Sequence, residues 1–190
     1  MAARAARILF AGATGVLGRA TLPHLGAHDV VGLTRSPEKA QLLGELGAEA
    51  AVCDVLNHAE LLRLARRVRP QIVVNFVTDL ASGSAAANNR ARREGGRNLL
   101  TVALGTGASR LVVESVAFEL DAEAREAVER LERGARSFTG EWLILRFGRL
   151  WGPGTFHEAQ PAPHAVHVDR AGAEAARLIE RAPAGTHLVA

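Results

Sequence analysis

Gly12-Ala13-Thr14-Gly15-Val16-Leu17-Gly18 spells G-x-x-G-x-x-G directly behind the apolar run Arg7–Ala11 and in front of a helical pattern. A glycine turn between a buried strand and a helix is built to carry phosphate. Gly12 permits the tight turn, Gly15 lets the backbone approach a pyrophosphate at the helix N-terminus, and Gly18 lets helix and strand pack closely. Glycines also simply end strands, but the strand–loop–helix context favours a dinucleotide site formed by Gly12, Thr14, Gly15, Val16, Leu17 and Gly18.

Further candidates sit where later apolar runs stop. Gly32-Leu33-Thr34-Arg35-Ser36 follows the loop by about 20 residues, where an NAD-specific site usually carries an acid for the ribose 2′-hydroxyl. None stands at this tip. Arg35 instead falls where a 2′-phosphate would lie, with Thr34 or Ser36 as donors, so NADP(H) is the expected cofactor and NAD(H) the second choice. The bland reading of Arg35 is a solvated loop arginine. Cys53-Asp54-Val55 offers Asp54 as an acceptor for the adenine amino group; a plain strand-end Asp is an equal reading. Asn75, Phe76 and Val77 are expected to flank the adenine-side ribose.

Two absences limit the chemistry. The chain has no tyrosine, and Lys39 is its single lysine, so 22 of the 23 basic residues are arginine. Ser115, in the run LVVES, and His157, in the irregular stretch Gly152–His167, are the remaining catalytic candidates. A strand-end hydroxyl bonded to backbone and a solvated loop histidine are their bland counterparts. His157, His164 and His167 lack an ordered metal spacing such as H-E-x-x-H, so no metal site is expected. Cys53 reads as a small buried apolar residue. One cysteine excludes an internal disulfide and fits a reducing cytoplasm. The net charge is only +3, with no basic block interleaved with aromatics, so no nucleic-acid partner is expected. No run of about 18 apolar residues suggests a membrane span, and the start MAARAARILFAGATG reads as a strand entering the loop rather than as a signal peptide.

The elements that must position these residues alternate along the 190 residues. Strands are predicted at Arg7–Ala11, Val30–Leu33, Ala48–Cys53, Ile72–Val77, Leu111–Val116, Trp142–Phe147 and His187–Ala190. Helices are predicted at Thr14–Leu25, Pro37–Leu46 (capped by Ser36), Asn57–Val68, Ala85–Leu104, Asp121–Arg136 and Ala171–Arg181. Continuous apolar strands between amphipathic helices imply a parallel sheet buried on both faces. The expected fold is α/β: one doubly wound Rossmann-like sheet over residues 1–190, with helices on both faces. Arg90, Arg92, Arg93 and Arg97 could attract an anionic substrate near the nicotinamide end, but such a run is more often a solvated helix face.

Several stretches together resemble the extended and atypical short-chain dehydrogenase/reductases, in the NAD-dependent epimerase/dehydratase and NmrA-like branch. They are FAGATGVLG, GLTRSPEK, EGGRNLLTVALGTGASRLVVES, LILRFGRLWGPG and AVHVDRAGAEAARLIE, and they cover nearly the whole chain. The resemblance implies a base from a Tyr-x-x-x-Lys pair. Here Asp121 falls near the Tyr position and Arg125 near the Lys position, so the pair is missing. It sets Ser115 against the family's active-site Ser/Thr. It also implies a substrate subdomain where this chain has about a dozen residues, Gly154 to Val166. These departures point to an NADPH-dependent reductase of a small or planar substrate. The alternatives are a non-catalytic NADP(H) sensor with a regulatory protein partner, and a degenerate nucleotide-sugar epimerase/dehydratase. A monomer or a homodimer is expected.

Overall fold

The computed structural model describes residues 5–161 and 163–190; the basic lead Met1–Arg4 lies outside them. Its strands are β1 (Arg7–Ala11), β2 (Asp29–Thr34), β3 (Glu49–Val52), β4 (Ile72–Asn75), β5 (Arg110–Val116), β6 (Glu141–Phe147), β7 (Arg149–Trp151), β8 (Ala165–His167) and β9 (Gly185–Val189). All but β7 and β8 join one seven-stranded sheet in the order β3-β2-β1-β4-β5-β6-β9, parallel at every pairing. The order turns back between β1 and β4. The loop after β1 therefore opens at the switch point, where open α/β sheets form their ligand crevice.

The helices are α1 (Val16–Thr21), α2 (Ala40–Glu45), α3 (His58–Val68), α4 (Ala85–Arg90), α5 (Gly96–Thr106), α6 (Ala122–Arg136) and α7 (Val168–Arg181). Alternation along each strand divides the core in two. On one face Phe10, Val74, Val112 and Leu145 meet Leu17 of α1, Leu43 of α2 and Ile179 of α7. On the other, Leu9, Val73, Leu111 and Ile144 meet Leu61 of α3, Leu99 of α5 and Leu131 of α6. This is the doubly wound architecture that the apolar runs predict.

Local departures have local causes. The helix expected over Thr14–Leu25 tightens into a 3₁₀ turn at Leu22–Leu25, where Pro23 withholds an amide. Pro37–Lys39 is likewise a 3₁₀ turn before α2, and the Ser36 side chain does not cap it, being turned to Glu38. Asn57 does cap α3, accepting from the Glu60 amide at 3.3 Å. The long helix expected at Ala85–Leu104 is interrupted by a π-helical turn at Ala91–Gly95. The stretch read as irregular is flanked by β7 and closed by β8, which pair in parallel, and α7 begins three residues before its expected start.

Candidate functional site

The glycine loop is shaped by two close approaches. Gly12 has φ +86°, and a β-carbon there would lie 2.2 Å from the Phe76 carbonyl oxygen; a β-carbon on Gly18 would lie 2.2 Å from the Gly12 carbonyl oxygen. The loop is thus pressed onto the end of β4 on one side and onto α1 on the other. Beneath it the Phe76 ring stands edge-on to Phe10 and Phe147, at 5.2 and 6.0 Å between centroids. The Gly15 amide donates to the Gly12 carbonyl at 3.0 Å. Gly15 also begins α1 with no side-chain cap. The first helical amides therefore lack the side-chain acceptor that helix starts usually recruit, which suits a phosphate oxygen. Gly15 is exposed and Thr14 and Val16 half-buried, whereas Leu17 and Gly18 are buried and serve the packing.

The other predicted cofactor residues gather on the same edge, at the C-terminal ends of β2, β3 and β4. The Thr34 hydroxyl is used locally, accepting from the Ser36 amide at 3.1 Å and donating to the Ser36 carbonyl at 3.2 Å. Arg35 reaches across to the segment after β4 and donates to both Asp79 oxygens, at 3.1 and 3.4 Å. Asp79 is fixed in turn by its own amide, which donates to Asn88 Oδ1 at 2.9 Å. Asp54 accepts from the Leu56 amide at 2.9 Å, and Asn98 of α5 donates to the Val55 carbonyl at 2.8 Å, which pins that loop. Asn75 accepts from the Val77 amide at 3.1 Å. Val55 and Phe76 are buried, so their side chains support the crevice floor.

Ser115 is placed differently from its expected role. It is 2% exposed, and its hydroxyl donates to Glu132 of α6 at 2.7 Å. The cause is strand alternation: Ser115 shares the α6 face with Val113, while Glu114 shares the opposite face with Val112. Glu132 also accepts from Arg146 at 2.6 and 2.8 Å and from Arg136 at 2.8 Å. Burial alone would push this carboxyl up, but hydrogen bonds from Arg146, Ser115 and Arg136 outweigh it and bring it to about 2. Asp121, set near the family's Tyr position, is the N-cap of α6, accepting from the Ala124 amide at 2.8 Å; Arg125 donates to the Leu120 carbonyl at 3.1 Å. His157 belongs to the segment beyond β7. Its carbonyl accepts from the Gly152 amide at 2.8 Å, and its ring lies 5.1 Å from the ring of Phe156, which is 95% exposed. Ser115 and His157 share no partner. The turn Gly152–Gly154 rests over the start of α1, near Val16 and Arg19.

Two residues escaped the sequence reading. Arg92, on the π-helical turn, is 7% exposed rather than solvated. Glu114, on β5, is half-buried; burial pushes its carboxyl up to about 7 against the opposing attraction of Arg92. The available signal was a lone acid inside the apolar run LVVESV. Among the described residues no group of three or more His, Cys, Asp or Glu converges as a metal site, and no helix is long and apolar enough to cross a membrane.

Residues 8–130 match the model of the NAD dependent epimerase/dehydratase family, starting at β1 and running through the glycine loop into α6. The chain belongs to that family. Among curated proteins, it is 33% identical over 179 residues to a 3-diazoavenalumate denitrifying reductase from a Streptomyces species, an alignment covering 78% of this chain. The chain spans 58% of that relative's length. Among solved structures, the Bordetella bronchiseptica enzyme WbmG in complex with NAD superposes with a TM-score of 0.76 at 17% identity, covering 97% of this chain and 72% of WbmG. The UDP-glucose 4-epimerase of Thermus thermophilus in complex with NAD gives 0.76 at 18% identity, covering 96% and 77%. At such identities these likenesses speak to the epimerase/dehydratase family's fold.

Proposed function

We propose that the chain binds a nicotinamide dinucleotide, NADP(H) in preference to NAD(H), and uses it to reduce a small or planar acceptor. The observation that carries this reading is the glycine loop. Its backbone is held against Phe76 and α1 with no room for a β-carbon at Gly12 or Gly18, and it presents uncapped helix amides at the switch point. A loop so constrained fits a pyrophosphate.

Reduction is preferred to epimerisation for two reasons. A relative at 33% identity is named a reductase. The chain also has no tyrosine to serve as the family's base. Hydride transfer depends mainly on orientation of the two partners, and when bound the dinucleotide supplies the hydride itself. The chain's own residues bind and orient: the loop amides take the phosphates, Asp54 and Val55 border the adenine, and Asn75, Phe76 and Val77 border its ribose. Arg35 takes the 2′-phosphate by leaving Asp79. That exchange costs more than the about 0–1 kcal/mol of a fully exposed ion pair, because the Arg35 side chain is 57% exposed but that of Asp79 only 17%. The short segment between β7 and β8 leaves little to enclose a bulky nucleotide-sugar, which favours a compact acceptor. His157, in that segment, is kept as an assisting group, while the Ser115 hydroxyl is engaged by Glu132.

The test is calorimetric titration with NADPH and NADH, followed by NADPH oxidation with flavin and quinone acceptors. Binding with turnover supports the reductase. Tight binding without turnover of any acceptor transfers support to an NADP(H) sensor acting on a protein partner. Absence of binding overturns both.

A further inference from the structure

The C-terminal end of β5 carries a half-buried carboxylic acid outside the hydrogen-bonded networks described above, and the π-helical turn carries a buried cation. Glu114 and Ser115 point to opposite faces, and only Ser115 is taken up by Glu132. Glu114 lies opposite Leu145 of β6 in register, and one step past the Asn75–Val113 pair that joins β4 to β5. Its face is that of Phe76, whose carbonyl touches the glycine loop. Its position is the C-terminal end of a parallel strand beside the switch point, where ligands of open α/β sheets approach. In the helix layer, Arg92 is buried on the π-helical turn Ala91–Gly95 and acts on Glu114 through its field rather than through a hydrogen bond or ion pair. Such turns are frequent at functional sites. Arg92 is the charged group that acts on Glu114, and Glu114 acts back on Arg92; the neighbours on β4 and β6, Phe76 and Leu145, are uncharged.

We propose that Glu114, at the C-terminal end of β5 beside the switch point, is the proton donor of this chain's reduction, in the role that the absent tyrosine leaves open. The inference rests on the reductase reading above. The electron balance is simple. The acceptor gains a hydride, with its two electrons, on one atom of an unsaturated bond. The adjoining atom, which takes up the displaced electron pair, gains the proton from Glu114 Oε as that O–H bond breaks. The dinucleotide leaves oxidised, and Glu114 is left a carboxylate in the field of the Arg92 guanidinium. Its partial exposure lets water return the proton. Two physical facts suit it to the task. A carboxyl pushed to about 7 is substantially protonated at neutral pH, where an ordinary one is not. A buried guanidinium that keeps its charge stabilises the conjugate base without competing for the proton.

The experiment follows the carboxyl directly. Infrared difference spectra of the whole protein are titrated alone, with NADPH and with NADP⁺, for the wild type, Glu114→Gln and Arg92→Ala. The wild type should show a protonated-carboxyl band with a midpoint near 7, absent in Glu114→Gln and moved upward in Arg92→Ala. NADP⁺ should lower that midpoint relative to NADPH by about a unit or more, because a proton donor at the reacting atoms senses the positive ring. In steady state, wild-type kcat should fall about tenfold per pH unit above the midpoint. Glu114→Gln should lose about 10²–10⁴-fold in kcat and lose this pH dependence, with unchanged NADPH affinity, while Glu114→Asp recovers part of the rate. A midpoint indifferent to the redox state of the dinucleotide overturns the proposal, as does a Glu114→Gln variant of full kcat. Failure of NADPH to bind at all is a separate outcome: it removes the reductase reading and this inference with it.

Discussion

Arg35 and Asp79 close a bridge across one end of the crevice, 3.1 Å at its shorter contact, from the tip of β2 to the segment after β4. The arginine on which the proposed NADP(H) preference rests is therefore already partnered, and a 2′-phosphate must win it from a carboxylate. Arg35→Ala should narrow the NADPH-over-NADH preference by roughly 1–3 kcal/mol, the scale of a charge-assisted hydrogen bond. Asp79→Asn should move the other way, strengthening NADPH several-fold while leaving NADH nearly unchanged. Calorimetric titration of the three proteins checks both signs; equal affinity for the two cofactors in the wild type would sink the preference.

Gly15→Asp should abolish dinucleotide binding. A β-carbon at Gly15 would stand 3.1 Å from the Gly12 carbonyl oxygen, a tight but tolerable contact. The fold should survive, and the loss should come from a carboxylate placed where phosphate belongs. Circular dichroism together with titration separates the two effects. Unchanged affinity in a folded variant would remove the loop from the site.

Glu132 and Glu114 should pull stability in opposite directions with pH. The Glu132 carboxyl is lowered to about 2, so its contribution is full above about 4.5 and is lost as pH falls through about 2; the magnitude is roughly 3 kcal/mol. Glu114 is raised to about 7, so its neutral form is tolerated at low pH and ionisation costs up to about 3 kcal/mol as pH climbs from 4.5 through 7. Urea melts should therefore show a stability maximum on the acid side of neutrality. In Glu114→Gln the decline between about pH 4.5 and 7 should be much smaller. Glu132→Gln should cost about 1–3 kcal/mol at pH 7, since it removes the charge-assisted bonds of Arg146 and Arg136, whose own side chains are 43% and 40% exposed and stay hydrated; a change under about 0.5 kcal/mol would show that the network is ornamental.

Nucleotide-sugar epimerisation should be absent. Asp121 is a helix cap and Arg125 is tied to the Leu120 carbonyl, so neither stands in for the missing base and its lysine. The one lysine, Lys39, lies in the turn before α2, at the adenine end. Chromatography of common UDP- and dTDP-sugars incubated with protein and NAD⁺ is the check, and robust turnover would reveal a base elsewhere in the chain.

The main sheet was legible because buried parallel strands need continuous apolar runs, and RILFA, IVVN and WLILRF have no other comfortable place. The glycine loop was legible because its neighbours on both sides are such elements. What escaped depends on contacts distant in sequence. Nothing near Arg35 announces Asp79, 44 residues away. Arg92 sits among other arginines, and only the π-helical turn, which has no local sequence signature, turns it inward. Ser115 matches a catalytic hydroxyl by type, but one step of strand alternation assigns it to α6. The strands β7 and β8, three residues apiece, are too short to show a period.

That small pair of strands has a bearing on how the protein changes over evolutionary time. Arg149 lies beside Ala165 and Trp151 beside His167, so the chain leaves and re-enters the body of the fold on neighbouring strands. The intervening residues are stapled at both ends and carry none of the seven main strands. Length can be added or removed there at small cost in loop-closure entropy, since each doubling adds only about 0.6 kcal/mol, while the nucleotide end stays as it is. The segment is a socket: a new insert can be grafted between Trp151 and Ala165 with the main sheet and the glycine loop left untouched.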